Sequence, residues 1–221
     1  MKWIIFLFAL FLTGTVTAQE SEKLALFREL SVSGNCSLPV SSKNPAEVRP
    51  GFGIAVYTPF RPASKINPVI GLEFVQTRFF SGGVVDGDDV YYTNADFYYN
   101  QLRLPLSLRF HFGQKTTFFI EPGIFFSIPL SDYLEGVLHK PVNGVEVTEL
   151  AKVNLRSSAG IGLSLGLGIH TPLRKGALLF RLDENAGSGR TYLASGSPNE
   201  STIFYNHYLR FSVIYRLPAK Q

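Results

Sequence analysis

"QLRLPLSLRFHFG", residues 101–113, alternates almost without error. Leu102, Leu104, Leu106, Leu108, Phe110 and Phe112 fall on one face. Gln101, Arg103, Pro105, Ser107, Arg109 and His111 fall on the other. A period of two over this length marks a β-strand, because successive side chains leave opposite faces of the pleat. Whether the leucines or the arginines line the inside decides the fold.

The pattern recurs along the chain. "VRPGFGIAVYTPF" sets Phe52, Ile54 and Val56 against Gly51, Gly53, Ala55 and Tyr57, and "NPVIGLEFVQTRFF" sets Ile70, Leu72 and Phe74 against Gly71, Glu73, Val75 and Thr77. "TTFFIEPGIFFSIPL" sets Phe118, Ile120, Ile124, Phe126 and Ile128 against Glu121, Gly123 and Ser127. "VNLRSSAGIGLSLGLGIH" sets Ile161, Leu163, Leu165, Leu167 and Ile169 against Arg156, Ser158, Ser164, His170 and four glycines. "ALLFRLD" and "NHYLRFSVIYRL" carry Arg181, Asp183, Arg210, Ser212 and Arg216 on the polar face. A weaker segment, 24–34 ("LALFRELSVSG"), makes the eighth strand.

The connections alternate too. Long polar stretches (35–47, 81–96, 131–149, 189–202) follow the odd strands, and short ones ("RPASK", "GQK", "TPLRKG") follow the even strands. A soluble sandwich has no reason to gather its long loops at one end, whereas an up-and-down barrel in an outer membrane does. The polar face settles the orientation. It is rich in glycine (Gly160, Gly162, Gly166, Gly168), which weakens a strand on an open surface but leaves room for bulky side chains inside a narrow barrel. Leu102 to Phe112 is 11 residues, or about 36 Å, which at ~40° tilt spans about 28 Å, close to the ~25 Å apolar band of such barrels. The apolar face therefore meets lipid.

The chain opens with Met1, Lys2 and the apolar run "WIIFLFALFLTG", followed by small residues at Val16 and Ala18 ahead of Gln19. This reads as a cleaved export signal over 1–18, with the barrel occupying 19–221. Gln19 in place of cysteine argues against a lipoprotein anchor. Loss of Lys2 lowers the formal net charge from +4 to +3 (20 basic against 17 acidic residues), and no basic run accompanies it, so nucleic acid is not an expected partner. A single cysteine, Cys36, excludes an intramolecular disulfide and a Cys-rich zinc site.

The segments "LRLPLSLRFHFG", "FFIEPGIFFSIPL", "SAGIGLSLGLGI" and "NHYLRFSVIYRL" together resemble the PorT-like outer-membrane β-barrel domain, similar in design to small OmpA and OmpX barrels. The resemblance covers most of the mature chain. It implies an eight-stranded outer-membrane protein without known catalytic residues. Two positions depart from the expected design. The last outward residue is Leu217 rather than an aromatic, and Pro122 falls on the lipid face within a strand, where a bulge is the expected remedy.

Other motifs carry little chemistry. "GLSLG" (162–166) matches the G-x-S-x-G nucleophile elbow, but alternation runs straight through it where the elbow needs a sharp turn. His111 and His170 are expected inside near the short turns, His139 in a long loop, and His207 facing lipid at a strand end; no Ser/His/acid trio stands out. "DGDDVYYTNAD" (86–96) gathers carboxylates without the full pattern of a calcium loop.

The expectation is an all-β, eight-stranded antiparallel up-and-down transmembrane barrel of a Gram-negative-type outer membrane. It needs no cofactor, metal or catalytic residues, and is expected to be a monomer. Outer-membrane lipid and the barrel-assembly machinery are its expected partners, with an envelope or extracellular protein partner as a further candidate. Glu73, Arg103, Arg109, Glu121, Arg156, Arg181, Asp183 and Arg210 should pair inside it, since unpaired charge in a narrow lumen is costly. Leu72, Leu102, Leu104, Leu106, Leu108, Ile161, Leu163 and Leu165 should face lipid. A structural or loop-mediated binding role follows; the alternatives are a membrane-embedded lipid-modifying enzyme or a soluble barrel holding an apolar ligand.

Overall fold

The computed structural model describes residues 27–37, 47–62, 64–85, 90–113, 117–193 and 202–218, with backbone alone at 47–48, 83–85, 189–193 and 202–206. The export signal at 1–18 and the acidic positions 86, 88 and 89 lie outside the described residues.

Ten strands form one antiparallel sheet: β1 (Glu29–Ser37), β2 (Glu47–Pro59), β3 (Ile66–Val85), β4 (Tyr91–Phe112), β5 (Thr117–Pro129), β6 (Asp132–Val142), β7 (Val145–Ser157), β8 (Gly160–Leu173), β9 (Gly176–Leu193) and β10 (Thr202–Arg216). Eight of them close a ring in the order β1-β2-β3-β4-β5-β8-β9-β10, sealed where Glu29–Ser37 pairs with Tyr208–Arg216. Closure removes every edge from the ring. The start of β1 and the end of β10 lie at the same end as the short connections, the short-turn end, where the Leu217 amide donates to the Arg28 carbonyl.

The remaining pair, β6 and β7, is a hairpin that continues the wall beyond the ring at the opposite end. β6 pairs with the first part of β4, and Leu155–Ser157 of β7 pairs with the tip of β9. The polar stretch 131–149, expected as a loop, is therefore mostly strand, and Ser81–Val85 and Tyr91–Asp96 of the second long stretch are strand as well. The hairpin turns at Asn143-Gly144, both at positive φ (53° and 78°), the pairing that a two-residue type I′ turn requires. β4 alone runs 22 residues, about 70 Å, more than twice the thickness of an apolar band.

The alternation changes phase where the ring gives way to this outward wall. Odd residues of β5 point inward (Phe119, Glu121, Phe125, Ser127), but in β6 the even ones do (Asp132, Leu134). The extra residue sits at Leu130–Ser131. A second slip at Ser158–Ala159 turns Leu155 inward, whereas β8 points its even residues inward. A third occurs at Asn94, whose φ of 51° marks a bulge against Gly136. Pro122 needs no such device. The β4–β5 ladder omits Leu108–Arg109 against Glu121–Pro122 and resumes in the same register, with Pro122 exposed on the outer face. The expected bulge there is absent.

Candidate functional site

The ring is polar inside and apolar outside. Leu106, Leu108, Ile161, Leu163 and Leu165 stand exposed on its outer surface, and Leu72, Leu102 and Leu104 are half-buried on the same surface. Leu163 exposes 66% of its area while Arg109, on the inner face, exposes none. Glu73, Arg103, Arg109, Glu121, Arg181, Asp183 and Arg210 are all buried in the lumen.

These groups form one chain of alternating charge. At the short-turn end, Arg216 reaches Glu29 (2.7 Å), which accepts from Arg109 (2.9 Å). Arg109 donates through Nε to Glu121, and Glu121 accepts from Arg181 (2.8 Å) and from the Ser107 hydroxyl (2.9 Å). Arg181 pairs with Asp183 (2.8 Å), Asp183 with Arg210 (3.0 Å), and Arg210 with Glu73 (2.9 Å). Arg103 closes the run, 3.6 Å from Glu73, with its guanidinium 3.3 Å above the Phe125 ring. Two tyrosines knit the run together. Tyr57 donates to Glu73 (2.6 Å) and accepts from Arg181 (2.8 Å), and Tyr208 accepts from Arg103. Each buried charge thus faces opposite charges contributed by other strands, which is the condition for tolerating it.

The glycines supply the room. A Cβ on Gly162 would lie 2.1 Å from the Phe125 ring, and one on Gly168 would lie 2.3 Å from Phe119. Each glycine is the direct cross-strand partner of the ring that covers it. Among the charges at the short-turn end, Tyr57, Val69, Phe119, Ala177, Leu179 and Ile214 pack into an apolar cluster. Above them, Tyr92, Ala95, Phe97, Tyr99, Leu134 and Leu155 form an aromatic-rich cluster on the inner face of the outward wall, with Phe79 stacked 4.5 Å from Phe97. Charged, aromatic and aliphatic side chains thus occupy the lumen.

Arg156 does not join the network. The slip at Ser158–Ala159 turns it to the exposed outer face, so unbroken alternation was the wrong guide there. Conversely, Glu29 belongs to the network although its strand is the weakest in the sequence. Its alternation with Leu30 and Val32 was the available signal.

The outward wall gathers a trio that no sequence spacing revealed. Thr93 Oγ1 lies 2.9 Å from His139 Nε2, and His139 Nδ1 lies 2.9 Å from Glu146 Oε1. Tyr91 donates to the same Glu146 oxygen (2.8 Å) and stacks on the imidazole at 4.5 Å. His139 is therefore on a strand, not in a loop. The order hydroxyl–imidazole–carboxylate matches a nucleophilic relay, but the Glu146 side chain is 61% exposed and shared with Tyr91, unlike the buried acid that such a relay employs. The array ties β4, β6 and β7 together. The Tyr91 and His139 hydrogen bonds hold the Glu146 carboxyl below its ordinary range, and the same contact raises the Tyr91 phenol. His207, on the outer face, pairs with Glu184 at 2.8 Å. Among the described residues no cluster of metal-ligating side chains occurs.

No protein-family model and no curated protein matches the chain. Its shape is similar to several solved structures. A major outer membrane protein from Thermus thermophilus shares 15% identity at a TM-score of 0.43, over 86% of this chain and 99% of that one. OprG from Pseudomonas aeruginosa shares 12% at 0.46, over 86% and 93%. Neisserial surface protein A shares 13% at 0.38, over 86% and 96%.

Proposed function

We propose that this chain is an integral outer-membrane β-barrel, a non-enzymatic monomer, whose ring anchors an outward sheet with a structural or binding role. One observation carries the reading: a closed ring with leucine and isoleucine exposed outside and a buried, sign-alternating charge chain inside. In water that surface would be an unusually large apolar patch. In a bilayer it is the required exterior, because a closed barrel leaves no backbone group unpaired in hydrocarbon. The PorT-like resemblance is part of this proposal and rests on the strand motifs. A soluble carrier of an apolar ligand would need an apolar cavity where this ring holds guanidiniums and carboxylates. A lipid-modifying enzyme built on Thr93, His139 and Glu146 would lack the buried acid of a nucleophilic relay, because Glu146 is solvated.

The test is fractionation of cells that express the chain. The protein should stay with membranes through carbonate extraction and migrate differently before and after boiling. Recovery in the soluble periplasmic fraction would overturn the proposal. Hydrolysis of p-nitrophenyl esters that Thr93→Ala abolishes would overturn its non-enzymatic part.

A further inference from the structure

Just outward of the apolar ring, the outer face of the wall carries a column of four side chains from four adjacent strands. Arg78 of β3 lies directly opposite Tyr98 of β4, and Tyr98 directly opposite Tyr133 of β6. The Arg78 guanidinium sits 4.7 Å from the Tyr98 ring centre, the two tyrosines stack at 4.5 Å and 15°, and the Lys152 ammonium of β7 sits 3.7 Å from the Tyr133 ring. The sequence is cation, ring, ring, cation. Both ring faces are occupied, so what the column offers outward is its polar ends.

Those ends have hydrogen-bonding capacity to spare. Arg78 donates through Nη2 to Asp96 (2.9 Å), with the side chain 31% exposed. Lys152 gives one of its three donors to Glu135 (2.9 Å), with the side chain 57% exposed. Neither phenol hydroxyl is hydrogen-bonded among the described residues. Stacking on aromatic faces holds the cations in place without consuming their N–H groups. The two carboxylates fix one edge of each.

The height of the column selects the ligand. On β4 the outer face reads Leu102, Asn100, Tyr98 toward the hairpin, and Asn100, hydrogen-bonded to Gln76 and Ser131, marks the upper edge of the apolar surface. Tyr98 lies four residues beyond Leu102, about 10 Å at ~40° tilt, which is headgroup depth. Arg78 and Lys152 are three strand spacings apart, about 14 Å, too far for one phosphate to bridge. We infer that Arg78, Tyr98, Tyr133 and Lys152 form a binding site for the headgroup of an outer-leaflet glycolipid that carries phosphates at both ends of its sugar. The hydroxyls between the two cations meet the sugar, and the cations meet the phosphates.

This inference rests on the membrane reading above, and the experiment separates the two. Refolded protein in detergent is titrated with a diphosphorylated disaccharide lipid, phosphatidylglycerol, phosphatidylcholine or inorganic phosphate, and bound molecules are counted by native mass spectrometry. The diphosphorylated lipid should bind in preference to the other three. Each cation contributes roughly fivefold, so Arg78→Gln combined with Lys152→Gln should weaken binding roughly 25-fold, while Lys140→Gln, farther out on the hairpin, should leave it unchanged. Equal binding by wild type and the double variant, equal binding of phosphatidylcholine, or displacement by inorganic phosphate would overturn the site. A boiling-dependent gel shift retained in the variants shows that the barrel has folded. Failure of the wild type to enter phosphatidylcholine vesicles at all would instead count against the membrane reading.

Discussion

The ring and the outward wall are built from the same strands and wear their polarity in opposite ways. In the ring, β4 puts Leu106 and Leu108 outside and Arg103 and Arg109 inside; farther along the same strand, Asp96 and Tyr98 are outside and Phe97 and Tyr99 inside. β6 and β7 agree with the second arrangement, with Glu135 and Lys152 outside and Leu134 and Leu155 inside. What surrounds a sheet decides which face is charged. Where hydrocarbon surrounds it, polar groups must go inward and neutralise one another; where water does, the sheet packs like a soluble protein. On β4 the odd residues from Ala95 to Arg109 face inward through both regions, so the residue types change and not the faces. The slips at Leu130–Ser131 and Ser158–Ala159 lie where β6 and β7 join the ring, and the one at Asn94 lies within the wall.

The two regions should differ most in their ion pairs. Glu121→Ala leaves Arg109 and Arg181 without a carboxylate that both use, and should cost about 3–5 kcal/mol. Glu135→Ala removes an exposed partner of Lys152 on the wall and should cost at most about 1 kcal/mol. Urea unfolding of protein refolded into vesicles measures both. Equal costs would mean that the two regions share one environment.

A charge placed on the outer face gives the next largest contrast. Leu106→Arg puts a guanidinium into the middle of the apolar surface and should cost about 2–4 kcal/mol, whereas Val137→Arg, on the outer face of β6, should stay within about 0.5 kcal/mol. Leu106→Trp sharpens the assignment, because the only tryptophan, Trp3, lies in the expected export signal. Its emission should be quenched by lipids brominated in mid-chain. Absence of quenching there and in Leu72→Trp and Leu165→Trp would invert the faces.

These contrasts separate what the sequence made legible from what it hid. The ring was legible because Leu102–Phe112 and Ile161–Ile169 alternate large apolar residues with charge or glycine over about the height of an apolar band. Glu73, Arg103, Arg109, Glu121, Arg181, Asp183 and Arg210 follow from that alternation, and each is buried. The wall was hidden because "VEVTELAKVN" (145–154) has the modest amphipathicity of an exposed strand, which resembles a polar loop. Arg156 was misplaced for a related reason: a bulge costs one residue and leaves no compositional mark. The Thr93–His139–Glu146 array draws on three strands, and only strand pairing brings them together.

Glycine substitution probes the ring at smaller cost. Gly162→Val would push branched carbons into the Phe125 ring, 2.1 Å from the Cβ position, and should cost about 1–3 kcal/mol. Gly34→Ala, on the outer face of β1 with nothing within 4 Å of its Cβ, should stay within about 0.5 kcal/mol. Adding Phe125→Leu should recover part of the Gly162→Val loss. If no recovery appears, the glycine serves the backbone and not the ring above it.

The smallest expected effect is confined to the hairpin and depends on pH. Glu146 accepts from Tyr91 (2.8 Å) and lies 2.9 Å from His139 Nδ1, contacts that favour its ionised form and lower its pKa in the folded wall. A carboxyl whose folded pKa lies below its unfolded value, about 4.3, stabilises the fold when ionised. That contribution is fully present above the unfolded value and disappears as pH falls through the folded one. Amide exchange in β6 and β7 should therefore speed up below pH about 4, once the intrinsic pH dependence of exchange is removed. The ring should not respond in the same step through this group, because Glu146 lies on the exposed hairpin, outside the buried charge run. Glu146→Gln keeps an oxygen for the Tyr91 hydroxyl but cannot titrate, so it should abolish the acid step in the hairpin. An acid step of full size in Glu146→Gln would assign it to another group and leave the Thr93–His139–Glu146 array a static tie.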